Sequence, residues 1–395
     1  TITAKNALGV SDPAATNAVI PQSAWKPSIL DATADAKHLV VGTFNKEPII
    51  AYSDSKNGDL KLATFHAGLW SKKVVDGNAL TGGKTPNDVS GNISMCVGSV
   101  NGVSTLNLFY ADLTKKWLRW AGYDGRKWSY SIVDGNGPIK QPYQEKLRVR
   151  TASDVSVHSA CAVTPSGLQV FYRDESQGIL LGAVKDGTKW RYELIDGDRV
   201  TDNRTTGDVG FHMQATTVGE RAYLLYDSVI SVNTNTKEAI RGEVRLAYRD
   251  SAYPEDWKYS TLDSSGSGLS VAGFDVALSN NGKSRSATWL ASTINPSVPD
   301  QIRWIDLKNA LIGGSPTTVS TERFGAPNSP LSLDATGTLF SCQSRLCAEN
   351  GANQEITLVS TNTFSSKIDA AWITLNKLRY AVVSNENKLT LYKAA

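Results

Sequence analysis

Ala24 to Ala32 reads AWKPSILDA, and the same phrase returns four times. It is LWSKKVVDG at Leu69 to Gly77, KWSYSIVDG at Lys127 to Gly135, KWRYELIDG at Lys189 to Gly197 and DWKYSTLDS at Asp256 to Ser264. In every copy a Trp opens a short strand that closes on Asp. The closing Trp residues Trp70, Trp128, Trp190 and Trp257 stand 58, 62 and 67 residues apart. A repeat of that length is one supersecondary unit with drifting loops. The four later copies each follow three further short runs of strand composition, whereas the copy at Trp25 stands alone.

Working outward, HLVVGTF, PIIAYSDS and DLKLATFHA precede the phrase at Leu69, joined by tight turns such as Lys56-Asn57-Gly58. This predicts an antiparallel meander of four strands. The second unit starts near Asn92, the third at Asp154 and the fourth at Asp208. The fourth carries an insert from Ser228 to Gly242. After Ser264 the copies degrade. FDVALSN, SRSATWLAST, QIRWIDL and PTTVSTE read as a fifth unit. PLSLDATG, TLFSCQSR, EITLVSTN and a run near Phe364 read as a sixth. The last unit, KIDAAWITLN, LRYAVVSNE and KLTLYKA, lacks its fourth strand. AWKPSILDA is the missing piece. A ring of sheets closed by pairing the two chain ends is a β-propeller. The expectation is all-β, with seven four-stranded blades closed by the strand around Trp25. Six or eight blades follow if the degenerate stretch from Thr288 to Phe364 divides differently. ALIGG near Ala310 is too short for a substantial helix.

Composition agrees with this and narrows function. The chain has 395 residues, 41% hydrophobic and 20% charged, which suits a folded core rather than disorder. A net charge of +3 without a basic block argues against nucleic acid as a partner. No apolar run has the length of a membrane helix. With 10 Trp, 14 Tyr and only 2 Met, the chain has the β-rich, turn-rich profile often found in extracellular proteins. Cys96 and Cys161 occupy matching places in successive repeats and read as buried, small apolar side chains. Cys342 and Cys347 could bridge a tight turn or remain apart.

Some columns recur in register. The second strand carries Tyr52, Tyr110, Tyr172, Tyr226 and Trp289, with Asp54, Asp112 and Asp174 two places beyond the first three. The third strand carries Lys61, Arg119, Arg245 and Arg303, with Leu181 breaking the set. Leu62, Trp120, Gly182, Leu246 and Trp304 come next. A scaffold role accounts for each: face packing, Asp capping of turn N–H groups, and Arg against an aromatic or an Asp. A binding role is also open, because aromatic faces beside charged hydrogen-bonders suit sugar rings. The candidate ligand-binding set is Tyr110, Arg119, Trp120, Tyr172, Arg245, Arg303 and Trp304.

His158 and His212 match in register on inner strands facing the channel, a weak metal signal that a structural role explains as well. Asp-rich turns at Asp134 to Gly137 and Asp196 to Asn203 offer calcium a weak opportunity. No cofactor is otherwise expected. No nucleophile elbow, HExxH or P-loop is present, so no catalytic residue is assigned. Paired carboxylates brought together from distant blades would still allow glycoside hydrolysis.

The pattern Y-x-D-x-x-x-G-x-L-x-x-A followed by W and V-D-G resembles repeats of secreted bacterial propellers and of fungal and bacterial fucose-binding propeller lectins. That resemblance implies fucose held between blades by Arg, Glu and aromatic side chains. The chain departs from it in having no recurrent Glu beside the Arg column. Thr1 to Pro21 resembles the last strand and exit of a fibronectin type III domain, which implies an exported, multidomain, bacterial parent. The expected organisation is a module exit or linker at 1–21 and a propeller at 22–395. The expected function is non-catalytic recognition of a cell-surface glycan or protein receptor by a monomeric, extracellular adhesin or lectin-like module. A secreted hydrolase or lyase, or an interaction scaffold using the 228–242 insert, are the alternatives.

Overall fold

In a computed structural model, the described residues are 5–6, 9–10, 25–100, 102–137, 150–198, 203–206, 208–232, 234–235, 239–249, 257–264, 269–270, 276–280, 285–293, 301–311, 317–321, 331–334, 337–342, 345–350, 355–360, 369–385 and 388–393. They form six four-stranded sheets, one five-stranded sheet and a two-stranded ladder of Lys5–Asn6 with Gly9–Val10. The rest of 1–21, on which the fibronectin-like reading depends, lies outside the described residues. So does the run near Phe364.

The first sheet runs Leu39–Phe44, Glu47–Asp54, Asp59–His66 and Leu69–Asp76 from inner to outer strand. The second runs Ile93–Val100, Val103–Asp112, Trp117–Tyr123 and Trp128–Asp134, and the third Ser159–Thr164, Gly167–Asp174, Ile179–Asp186 and Lys189–Asp196. The fourth runs Val209–Val218, Arg221–Val232, Ala239–Arg249 and Trp257–Ser264. The 228–242 insert largely lengthens its central hairpin, with Val229 opposite Gly242. The fifth sheet holds Val276–Asn280, Arg285–Thr293, Gln301–Asp306 and Thr317–Thr321, with Leu269–Ser270 added beside Arg285–Thr293. A one-turn helix, Leu307–Ala310, follows its third strand, capped by Asp306.

The sixth sheet corrects the sequence reading. Its third strand is Arg345–Asn350, and EITLVS is its fourth. The seventh sheet is Asp369–Leu375, Leu378–Asn385, Lys388–Lys393 and, as outer strand, Lys26–Asp31. The latch pairs antiparallel with the C-terminal strand from Lys26 opposite Lys393 to Asp31 opposite Leu389. Trp25 packs on Trp372 at 5.8 Å between ring centroids.

Each inner strand lies against the inner strand of the next sheet, and that of the seventh returns to the first. The arrangement is an all-β propeller closed by the strand after Trp25. Its core is divided into apolar clusters, each spanning two neighbouring sheets. Phe109, Leu118 and Trp120 meet Val170, Tyr172 and Trp190, for example. At the closing seam Ile373, Leu375 and Leu391 pack on Leu39, Ile50 and Tyr52. Both faces of most sheets are therefore buried, which is why the second strands read as nearly continuous apolar runs.

Cys96 and Cys161 form a disulfide, with Cα atoms 5.8 Å apart. This corrects the expectation of two inert side chains. The two do not share one register place: Cys161 opposes Val170, two steps from the Tyr172 pair, and Cys96 opposes Asn107, three steps from the Tyr110 pair, and that single step turns the sulfurs toward each other. Cys347 is disulfide-bonded as well.

Candidate functional site

The Asp at or near the end of five of the outer strands is the acceptor of a clamp between sheets. Asp31, Asp76, Asp134, Asp196 and Asp263 are all buried. The second-strand Tyr of the next sheet donates to each of the first four. Tyr52 Oη reaches Asp31 Oδ2 at 2.8 Å and Tyr110 reaches Asp76 at 2.6 Å. Tyr172 reaches Asp134 at 2.7 Å and Tyr226 reaches Asp196 at 2.6 Å. In the fifth sheet Trp289 replaces Tyr, and its Nε1 donates to Asp263 Oδ2 at 2.9 Å.

The third-strand cation completes the clamp. Arg119 Nε and Arg245 Nε lie 3.3 Å from Asp76 and Asp196, and Arg303 Nη1 reaches both oxygens of Asp263 at 2.7 and 2.6 Å. Lys61 Nζ sits 4.0 Å from Asp31 and closer, 2.5 Å, to Asp54. Leu181 leaves the third sheet without a cation here. Burial drives the Tyr110 and Tyr226 hydroxyls well above the usual phenol range, and the neighbouring Asp charge adds to it. They stay protonated donors.

The second carboxylate oxygen explains the V-D-G ending. Asp76 Oδ1 accepts from Gly77 N at 3.0 Å and Thr85 N at 2.7 Å. Gly77 has φ +108°, and a Cβ there would stand 2.6 Å from the Gly58 carbonyl oxygen, so only glycine fits. A second clamp uses the fourth residue of the four later phrases. Tyr130, Tyr192 and Tyr259 donate to the carbonyls of Val75, Val133 and Ile195, and Lys72 Nζ donates to that of Leu30. Asp112 and Asp174 cap the following turns through Lys115 N and through Ser176 N and Gln177 N.

The structure therefore places the sequence-selected residues as follows. Tyr110, Arg119, Tyr172, Arg245 and Arg303 are clamp members whose polar atoms face the adjoining sheet. Trp120 is buried, donates from Nε1 to Asn107 Oδ1 at 3.1 Å, and carries Lys185 Nζ 4.1 Å over its ring. Trp304 is half-buried between Thr288 and Thr317 in the ladder. Tyr110 and Arg119 meet at Asp76, but the set is spread over several interfaces around the ring and does not converge on one site. The Asp-rich turns use their first carboxylates in the same way, with Asp134 Oδ1 accepting from Gly135 N and Thr151 N. Among the described residues no group of three or more His, Cys, Asp or Glu side chains is arranged to hold a metal ion.

Polar side chains do converge at one end of the central channel, in a cavity of about 430 Å³. Its lining includes His38, Asn92, His158, His212, Ser332 and Asp369, with Leu39, Ile93 and Trp372 among the apolar members. One register position supplies much of this rim. His38, Asn92 and His158 each precede the inner-strand residue paired with Tyr52, Tyr110 or Tyr172. Their carbonyls accept from Ser53 N, Ala111 N and Arg173 N.

His212 reaches the same end through an irregularity. The register of its strand shifts on both sides of Phe211, and His212 has φ +45°. That backbone region is unfavourable for a residue with a Cβ and is often retained where a side chain must be aimed. Its Nδ1 lies 3.3 Å from the buried Asp227 Oδ2. His158 stands edge-on to the His212 ring at 5.5 Å. The sequence had matched His158 with His212; it gave no sign that His38, Asn92 and Asp369 join them.

No family model matches the sequence, and no curated relative does. Solved structures resemble it in fold. A fungal lectin of Aleuria aurantia, described as a six-bladed β-propeller with a novel fucose recognition mode, is 14% identical, covering 85% of this chain and 99% of the lectin at a TM-score of 0.45. The polysaccharide lyase Uly1 is 10% identical, covering 96% of this chain and 91% of the lyase, with a TM-score of 0.50. A puromycin-hydrolyzing peptidase of Mycobacterium tuberculosis is 11% identical over 93% of this chain and 52% of the peptidase, also at 0.50. The lyase and the peptidase share an architecture with this chain, and at these identities the likeness is one of fold.

Proposed function

We propose that this chain is a seven-bladed, lectin-like binding module of an exported protein, which holds a saccharide unit of a surface glycan at the histidine-rimmed end of its channel. The observation that carries this reading is the contrast between two sets of polar residues. The Arg, Tyr and Asp columns are engaged in clamps between sheets. The rim residues instead line a concave cavity large enough for a sugar ring and supply imidazole, amide, hydroxyl and carboxylate groups suited to sugar hydroxyls. The disulfide between neighbouring sheets favours an oxidising compartment.

The test is a glycan array on the chain, followed by calorimetry on the best ligand. Asn92→Ala and His158→Ala are expected to abolish retention while the circular dichroism spectrum is unchanged. A flat array refutes the reading. Loss of binding in a folded Arg119→Ala or Trp120→Ala variant, with Asn92→Ala still binding, moves the ligand to the clefts between sheets. Cleavage of a retained oligosaccharide makes the module an enzyme.

A further inference from the structure

We propose that the channel mouth is an acid-responsive site for an anionic saccharide, one bearing a carboxylate or sulfate, with His158 and His212 as its recognition pair; this rests on the channel reading above. The two rings come from neighbouring sheets, stand 5.5 Å apart and both line the cavity. Nothing in the strand ladder requires that meeting. It depends on the irregularity at Phe211 and on the positive φ of His212, next to Gly210 at φ +87°. Two backbone positions outside the ordinary strand region turn the His212 imidazole toward His158. Asp227 meets it from the second strand of the same sheet.

The charges around the pair determine which ligand it takes, and when. Asp227 faces His212 from behind. Across the mouth Asp369 accepts backbone N–H bonds, Oδ2 from Leu39 N and Oδ1 from Ala370 N, both at 3.0 Å. His38 is the third imidazole of the lining. Arg173 stacks over Phe211 at 4.0 Å, but its guanidinium is paired with Glu175 and Asp208. With the imidazoles neutral, Asp369 is the charged side chain of the lining, with Asp227 buried behind His212, and an acidic sugar is repelled. With them protonated, three cations outnumber two carboxylates. A ligand oxyanion then receives charge-assisted N–H bonds from adjacent rings. Imidazole ordinarily changes charge near pH 6.5, so the sign of the mouth turns over within the physiological range.

Isothermal titration with trigalacturonate, a sulfated trisaccharide and neutral maltotriose, each at about pH 5.5 and about pH 8, tests this. The acidic ligands are expected to bind at least about fivefold more tightly at the lower pH, and maltotriose equally at both. His158→Gln and His212→Gln should each remove the pH dependence. His66→Gln, which changes an exposed histidine beside Glu47 far from the channel, should retain it. Whichever acidic trisaccharide binds identifies carboxylate or sulfate as the group read. If His212→Gln does not fold, His158→Gln and competition by sodium sulfate against the wild type still decide the matter. Acidic and neutral sugars binding alike, or a pH dependence that survives both variants, overturns the inference and leaves the channel reading standing. No binding by any of the three together with a flat array removes both.

Discussion

Replacing Asp76 by Ala removes the acceptor of four donors in one buried place. Tyr110 Oη at 2.6 Å, Arg119 Nε at 3.3 Å, Thr85 N at 2.7 Å and Gly77 N at 3.0 Å all converge on it. Asp76 is fully buried and Arg119 is 5% exposed. Deleting one partner of such a pair leaves an uncompensated buried charge, at about 3–5 kcal/mol. The orphaned Thr85 N–H adds about 1 kcal/mol, while Gly77 N keeps the Thr85 carbonyl at 3.2 Å and Arg119 keeps Nη2 to the Gly83 carbonyl at 2.7 Å and Nε to Tyr110 Oη at 3.5 Å. A loss of about 5 kcal/mol is expected for Asp76→Ala in urea unfolding followed by Trp fluorescence. The chain contains its own control. Opposite Tyr172 the third sheet has Leu181, where the second has Arg119 opposite Tyr110. Arg119→Leu in the Asp76→Ala background takes the stranded cation away and should recover about 2 kcal/mol. A loss under about 1 kcal/mol, or no recovery in the double variant, would refute the claim that these columns hold sheet to sheet.

Three further expectations follow from the same geometry. Burial alone would raise the Asp31 carboxyl. Hydrogen bonds from Tyr52 and Thr33, with the Lys72 charge, outweigh it and hold the pKa at about 2 against 3.8 unperturbed. About 2 kcal/mol of closure stability is therefore present above about pH 4 and lost as pH falls toward 2; Asp31→Asn should flatten that acid limb in unfolding titrations. Joint replacement of Cys96 and Cys161 by Ala, which opens a link across 65 residues, should cost up to about 4 kcal/mol, read as a lower thermal midpoint. Deleting 24–31 should expose the 369–393 sheet to limited proteolysis, whereas deleting 1–18 should not.

The fold was legible because a Trp and an Asp at fixed places mark five of the outer strands, and because one copy lacked companions. The Asp marks the strand end for a physical reason: it accepts from its own following Gly and from the next sheet. The sequence could not show that second partner. Tyr110 and Arg119 lie 34 and 43 residues from Asp76, and only ring geometry brings them together. The same Arg and aromatic residues therefore looked available for sugar when they are occupied in clamps. In the sixth unit the spacing of Cys342 and Cys347 suggested a turn and hid the strand Arg345–Asn350. Cys96 and Cys161 looked equivalent in sequence, but they stand one register place apart, and because strand side chains alternate faces it is that step that lets them be read as neighbours across consecutive inner strands. That inference required trusting the ring before the cysteines.

Internal repetition also separates scaffold from ligand chemistry without reference to any other protein. At the end of the outer strand the residue is Asp in the first four sheets and in the latch, and its partner is Tyr or Trp. Packing between sheets imposes a like demand at these five interfaces, so the solution barely varies among them. At the channel mouth one equivalent position holds His38, Asn92 and His158, while His212 and Asp369 line the same end from other sheets. No packing rule asks for that mixture, because these side chains border a cavity as well as the next sheet. A ring built from repeats surrounds its axis with near-identical backbone, so a ligand with no ring symmetry of its own can be read only where the side chains differ. The departure from repetition is sharpest at His212, where the strand itself is bent out of register to bring the ring to the mouth.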